Sequence, residues 1–276
     1  MASMTEALKT IEQYKSDNPH YSEMLDILTE MLNLREQYSA PAGSSIFQVD
    51  ENLIPRKVAK GEPLIDFSSD QFDAALPKSY FLRLLDIAAE QSPDKVQEMT
   101  DRLYDGELDF EKMIRQIFVP ISEEEFPEED DDNFFDLVKF FLRESLRPEL
   151  EKIAHKYGDK ISELGWSEGY CPICGKEPKI GKIKAGDARR YLFCSHCGFE
   201  WNYRRVKCPF CGNEEQQTLA YFTIEGDERC RVDVCNVCKR YIKIIDLRGS
   251  EQEANLDVED MVTLHLDILA HEEGYR

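Results

Sequence analysis

The sequence predicts an α+β protein, with an all-helical N-terminal domain followed by two tandem cysteine-ligated ribbon modules and a C-terminal helix. Three observations predict it. Apolar residues recur at helical spacing through the first 165 residues. Eight of the nine cysteines then fall in four Cys-x-x-Cys pairs. Between those pairs the apolar pattern changes to short, β-rich runs. The expected units are residues 1–165 (helical), 166–206 (first metal module), 207–248 (second metal module) and 249–276 (a helix returning to the body).

In the helical part, MTEALKTIEQYK and YSEMLDILTEMLNLREQYS carry apolar side chains three and four apart, the mark of one buried stripe. Residues 40–78 are punctuated by Pro41, Pro55, Pro63 and Pro77 and read as a mostly non-helical connection. Helical period returns at Ser79 in SYFLRLLDIAAEQ. Ser92 with Pro93 opens the next helix, and LDFEKMIRQIF follows. Residues 123–132, eight of ten acidic, read as a solvated loop, after which Asn133 is placed to cap FFDLVKFFLRESL. Pro148 stops or restarts the helix there, because proline lacks a backbone donor. Beyond Gly169 come PKIGKIK, RYLF, FEWNYRRV, TLAYFTI, RVDV and YIKIIDL as strands, then LDVEDMVTLHLDILAHEEGY as one amphipathic helix.

The net charge of −21 divides unevenly. Residues 170–245 carry 14 Lys/Arg against 9 Asp/Glu, whereas the remainder carries 20 against 46. An acidic body thus bears a mildly basic cysteine module. Two tetrathiolate sites would each add about −2 with a divalent ion, which leaves that module near neutral and argues against nucleic acid as partner. No apolar run approaches the roughly 20 residues of a membrane span. The opening residues lack a secretory or twin-arginine pattern, so the expected location is the cytoplasm. In that reducing compartment CxxC pairs point to metal ligation or redox chemistry rather than disulfides. There is no Gly-rich phosphate loop, H-E-x-x-H or nucleophile motif, and no enzyme is expected.

A CxxC turn supplies two thiolates, and tetrahedral closure needs a second turn from elsewhere. The pairs are separated by 19, ten and 23 residues. The first and last separations each hold two β-like runs around a turn, enough to leave the metal and return. The ten-residue spacer holds one extended run. About eight residues of strand carry the chain ~26 Å, so it joins two sites rather than closing one. Cys171/Cys174 also recurs 37 residues later as Cys208/Cys211. The expected ligand sets are therefore Cys171, Cys174, Cys194 and Cys197 for site 1, and Cys208, Cys211, Cys235 and Cys238 for site 2. Tetrahedral S₄ suits zinc and rubredoxin-type iron alike, so two ions are expected without a choice between Fe and Zn.

His196 sits inside a knuckle that already supplies two sulfurs and reads as a surface side chain. Cys230, the unpaired ninth, reads as a half-buried strand cysteine, although Arg229 and Arg231 could lower its pKa. His265 and His271 read as ordinary helix residues. Trp201, Tyr203, Arg204 and Arg205 alternate along the inter-site strand, and one side of it could present aromatics or arginines to a partner.

The segments WSEGYCPICGKEP, RYLFCSHCGFEW, RVKCPFCG, CNVCKRYIKI and the closing HEEGY resemble the formate dehydrogenase accessory proteins of the FdhE family. The likeness is specific from Trp166 to Tyr275 and rests, further upstream, on helix content and LIPRK at 53–57. It implies a helical body, two rubredoxin-like modules and the eight cysteine ligands. It also implies an accessory role in the cytoplasm, assembling or activating the molybdenum- or tungsten-containing catalytic subunit of formate dehydrogenase. The last knuckle, CNVCK, departs from the pattern by lacking its glycine. Two other readings are a rubredoxin-like redox protein acting by iron or thiolate electron transfer, and a nucleic-acid-binding zinc ribbon.

Overall fold

The computed structural model describes residues 4–39, 45–90, 92–119, 133–224, 226–250 and 253–276. The acidic run at 123–132 and the side chain of Asn133 lie outside the described residues. Helices α1 (Met4–Asp17) and α2 (Ser22–Ser39) come first. Between residues 45 and 74 the proline-punctuated connection is irregular apart from α3 (Ile54–Lys60), which begins with Pro55 in its first turn, where the missing N–H costs nothing. Helices α4 (Ala75–Ala89), α5 (Pro93–Tyr104), α6 (Phe110–Phe118), α7 (Asn133–Ser145) and α8 (Arg147–Glu163) complete the body. Pro148 falls in the first turn of α8, so the proline restarts the helix rather than breaking it. Ser92 precedes α5 without a side-chain capping bond, and Pro93 does the initiating. Asp109, by contrast, accepts from the Lys112 N–H and caps α6.

Strands β1 (Ile180–Ile183), β2 (Arg190–Phe193), β3 (Glu200–Tyr203), β4 (Leu219–Ile224), β5 (Asp227–Cys235) and β6 (Arg240–Asp246) form one sheet in the order β3-β2-β1-β6-β5-β4. The two ribbons are antiparallel within themselves. They join through a parallel pairing of β1 with β6, Ile180 beside Lys243 and Ile183 beside Asp246. The shared sheet was not foreseen from the sequence.

The C-terminal segment is two helices, α9 (Leu256–Val262) and α10 (Leu264–Glu272), where the sequence suggested one. The break at Thr263 lets each follow a different neighbour. Val258 and Val262 of α9 join Ile11 and Leu25 of α1 and α2, whereas Leu266 and Ala270 of α10 pack with Val232 and Ile245 of the sheet.

A buried ion-pair network fastens these parts together. Arg35 on α2 holds Glu144 on α7 through two bonds of 2.6 and 3.0 Å, and reaches Asp257 on α9 at 3.1 Å. Arg147 on α8 bonds the same Asp257 at 2.9 Å and Glu151 at 2.6 Å. Such charges are tolerated out of water because each guanidinium meets carboxylates in hydrogen-bonding geometry.

Candidate metal centres

Each knuckle is a turn closed by a backbone bond back to its first cysteine: Gly175 N–H to Cys171 O (2.9 Å), Gly198 to Cys194 (2.9 Å), Gly212 to Cys208 (3.0 Å) and Lys239 to Cys235 (2.8 Å). The turn demands a left-handed residue after the second cysteine, and the three glycines take φ of 73°, 68° and 72°. Lys239 accepts the same conformation at φ 56°, so the missing glycine leaves the fourth turn intact. The chain end braces that turn: Arg276 N–H donates to Lys239 O, and the Tyr275 hydroxyl to Asn236 Oδ1.

The structure brings the eight paired cysteines into two groups, Cys171/Cys174/Cys194/Cys197 and Cys208/Cys211/Cys235/Cys238, the sulfurs of each lying within 4.8 Å of one another. Sulfurs from opposite knuckles approach to 3.3 and 3.5 Å in the first group and to 3.7 Å twice in the second. A tetrahedron with metal–sulfur bonds of about 2.3 Å has edges of roughly 3.8 Å, so both groups fit one ion each. These separations are far beyond a disulfide bond of ~2.05 Å. Cys230 is buried in the β5 strand among Val232 and Leu247, in neither group.

The two groups sit in different surroundings. All four sulfur residues of site 1 are buried and belong to the hydrophobic cluster that includes Leu150 and Ile153 of α8. Its knuckles are gripped by the helical part. Leu64 N–H donates to Pro172 O (2.8 Å), Ile65 N–H to Ile173 O (2.9 Å), Lys176 Nζ to Ile117 O at the end of α6 (2.8 Å), and Arg147 Nη1 to Ser195 O. Site 2 lies at the free end of the sheet, with Cys211 exposed and Cys238 half-buried.

Burial pushes the Cys171, Cys197 and Cys208 thiols up; a divalent ion among them would reverse this by placing positive charge in the cage. Burial also works against ionisation of Cys235, but the N–H groups of Cys238 and Val237 point at its sulfur and bring it down to about 7.

His196, expected at the surface, is half-buried. Its ring packs against Phe118 at 5.6 Å, and desolvation pushes the imidazole down to about 4. Trp201 and Tyr203 are 3% and 4% exposed, so the structure does not offer them to a partner. Strand alternation turns both inward, where Trp201 Nε1 donates to Glu168 O and the Tyr203 hydroxyl to Cys208 O. Arg204 and Arg205, at the end of that strand, are exposed.

The braces around site 1, Leu64, Ile65 and Arg147, were missed in the sequence reading. The only signal was an apolar Leu-Ile pair inside the proline-rich connection. Arg147 carried none for this role, because Ser195 and Asp257 lie 48 and 110 residues away and its pairing with Glu151 four residues on is ordinary for a helix.

Among the described residues, no helix is long and apolar enough to cross a membrane. Family models described as "FdhE, central domain" and "FdhE, C-terminal domain" match residues 170–205 and 206–276. The chain is 30% identical over 272 residues to a "Protein FdhE homolog" of Aquifex aeolicus, covering 98% of this chain and 91% of that one. It is 36% identical over 118 residues to a Pseudomonas aeruginosa "Protein FdhE homolog", covering 40% of this chain and 37% of the relative. It is 31% identical over 121 residues to an Escherichia coli "Protein FdhE", covering 43% and 38%. The crystal structure of the FdhE protein from Pseudomonas aeruginosa superposes with a TM-score of 0.69 at 20% identity, over 99% of this chain and 92% of that one. That likeness is one of fold.

Proposed function

The chain belongs to the FdhE family, and from that premise we propose that it is an accessory protein for the catalytic subunit of a molybdenum- or tungsten-containing formate dehydrogenase. It binds that client in the cytoplasm, during assembly or activation, through the helical unit 1–165 and the metal modules 166–206 and 207–248. Cys171, Cys174, Cys194 and Cys197 hold one ion, and Cys208, Cys211, Cys235 and Cys238 a second, iron or zinc. The ions supply folding free energy to ribbons too small to hold together otherwise. The chain's own residues perform no catalysis; they shape and brace a surface.

The observation that carries this reading is the pair of four-cysteine cages built into a basic sheet on an acidic helical body, in a chain of this family. The test is co-purification of the tagged, metal-loaded chain with formate dehydrogenase catalytic subunits. Retention of the subunit is expected, and a chain that associates with none of them refutes the role. Elemental analysis is expected to return two ions per chain; a single ion per chain would overturn the two-site assignment.

One observation favours a second, redox reading: exposed Cys211 gives site 2 an edge open to an external electron partner. Colour separates the two, since ferric tetrathiolate iron is red and zinc colourless. A colourless, stoichiometric zinc protein removes the electron-transfer version.

A further inference from the structure

Beside site 2 lies a cavity of about 420 Å³ that includes Arg190, Arg205, Lys207, Tyr221, Arg231 and Asp233 in its lining. It covers one face of the β4–β6 part of the sheet. Pairing of Tyr221 with Asp233, and of Asp233 with Ile242, puts these side chains on that face. The opposite face, with Val232 and Ile245, is taken by α10. Tyr221 on the open face is 63% exposed.

Much of the charge there is paired: Lys207 meets Glu214 at 3.4 Å and Arg240 meets Glu177 at 2.6 Å. Asp233 is shared by two guanidiniums, Arg190 at 3.4 Å and Arg231 at 2.9 Å. Arg190 is 2% exposed, and its Nε has no hydrogen-bond acceptor. The Arg231 Nε lies 2.9 Å from Asp233 Oδ1 without making a hydrogen bond, and its Nη2 donates to Oδ2 at 3.3 Å. Arg205 is exposed and makes no ion pair with any described residue. Asp233 and the carbonyl oxygens of Arg204 and Lys207 hold the buried Arg190, so the charge open to a ligand is that of Arg205 with the half-buried Arg231. Along the same margin runs β4, the last strand of the sheet, whose outer side is paired with no described strand. An open strand edge is a template for an extended chain.

We propose that this face docks an extended, acidic peptide segment of the client, its backbone added to the β4 edge and a carboxylate seated at the exposed Arg205 beside Arg231. The proposal rests on the accessory-protein reading. The free edge supplies the backbone bonds, the arginine cluster the charge preference, and Tyr221 an apolar contact for the neighbouring side chain. It places client recognition at the exposed site 2 and leaves site 1 a buried anchor to the helical body.

The experiment measures binding of a fluorescein-labelled nonapeptide of alternating glutamate and valine to the full metal-loaded chain by anisotropy. A lysine–valine counterpart and pyrophosphate serve as the other arms. Preference for the acidic peptide is expected, weakening with salt. The Arg205→Glu variant, at an exposed site where folding is not at risk, should bind it roughly tenfold more weakly, and Arg205→Glu/Arg231→Glu more weakly still. Equal affinity for both peptides, or no change in either variant, overturns the proposal. So does pyrophosphate binding, read by calorimetry, with no binding of either peptide, which assigns the cavity to a small phosphate ligand. If wild type and Arg205→Glu capture the catalytic subunit equally, this docking face is refuted while the accessory role stands. If the wild type captures no such subunit yet binds the acidic peptide, the accessory role fails instead.

Discussion

Replacing Gly169 with alanine is expected to separate the two metal modules. A Cβ built on Gly169 would stand 1.8 Å from the Pro209 carbonyl oxygen and 2.6 Å from its carbon, both backbone atoms of the third knuckle. Reaching even a tight contact of 3.0 Å requires the backbones to part by more than an ångström. Neither side yields easily. The loop holding Gly169 is tied by Trp166 Nε1 to Tyr170 O (2.9 Å), by the Tyr170 hydroxyl to Gly61 O (2.7 Å), and by Trp201 Nε1 to Glu168 O (3.1 Å). Pro209 follows Cys208, which is held by its N–H to Asn213 O (2.8 Å). Overpacking costs about 1–3 kcal/mol, and freeing one buried donor about 1–3 kcal/mol more, so a loss of ~3 kcal/mol is expected. For a chain of this size that lowers Tm by roughly 6–12 °C. The assay is thermal unfolding of the metal-loaded protein, with Gly106→Ala as control. Nothing lies within 4 Å of a Cβ at Gly106, and only its φ of +76° resists. Its cost should be ~1 kcal/mol. A Gly169→Ala protein melting within 2 °C of wild type would refute the close-approach argument.

The two ions should leave at different rates. Opening the enclosed site 1 needs local unfolding, and even ~2 kcal/mol of opening slows release roughly 30-fold relative to site 2 with its exposed Cys211. A chromophoric chelator should record two phases, and Cys211→Ser should remove the fast one; a single phase, or loss of the slow one, contradicts the assignment. The buried network predicts acid sensitivity. Burial works against the charged form of Asp257, but Arg147 and Arg35 outweigh it and hold the carboxyl below its ordinary value. A depressed folded pKa means that its stability is present above the unfolded pKa of about 3.9 and is lost as pH falls through the folded value. Asp257→Asn should therefore cost about 3 kcal/mol at neutral pH and flatten the acid limb of the stability profile, both read by denaturant titration across pH. An unchanged acid limb would remove Asp257 as its source.

How much of this was legible in the chain depends on the range over which each feature is specified. The helices of the body follow from periodicity, and the cysteine pairings considered for each cage follow from spacer length, because a strand's rise per residue limits where a knuckle can return. Both are local quantities that one segment carries alone. The inward turn of Trp201 and Tyr203 was half legible: alternation puts them on one face, but which face is covered depends on Glu168 and Cys208, whose positions no periodicity reports. The parallel β1–β6 seam, the break at Thr263 and the grip of Leu64, Ile65 and Arg147 on site 1 were not legible at all. Each is a contact between segments far apart in the chain, selected because it satisfies buried polar groups and closes packing gaps. Residue order encodes such contacts only through the whole assembled core. The difference between an enclosed cage and an open one belongs to the same class: eight cysteines in four like turns give no hint of it until the helical body covers one group and leaves the other at the end of the sheet.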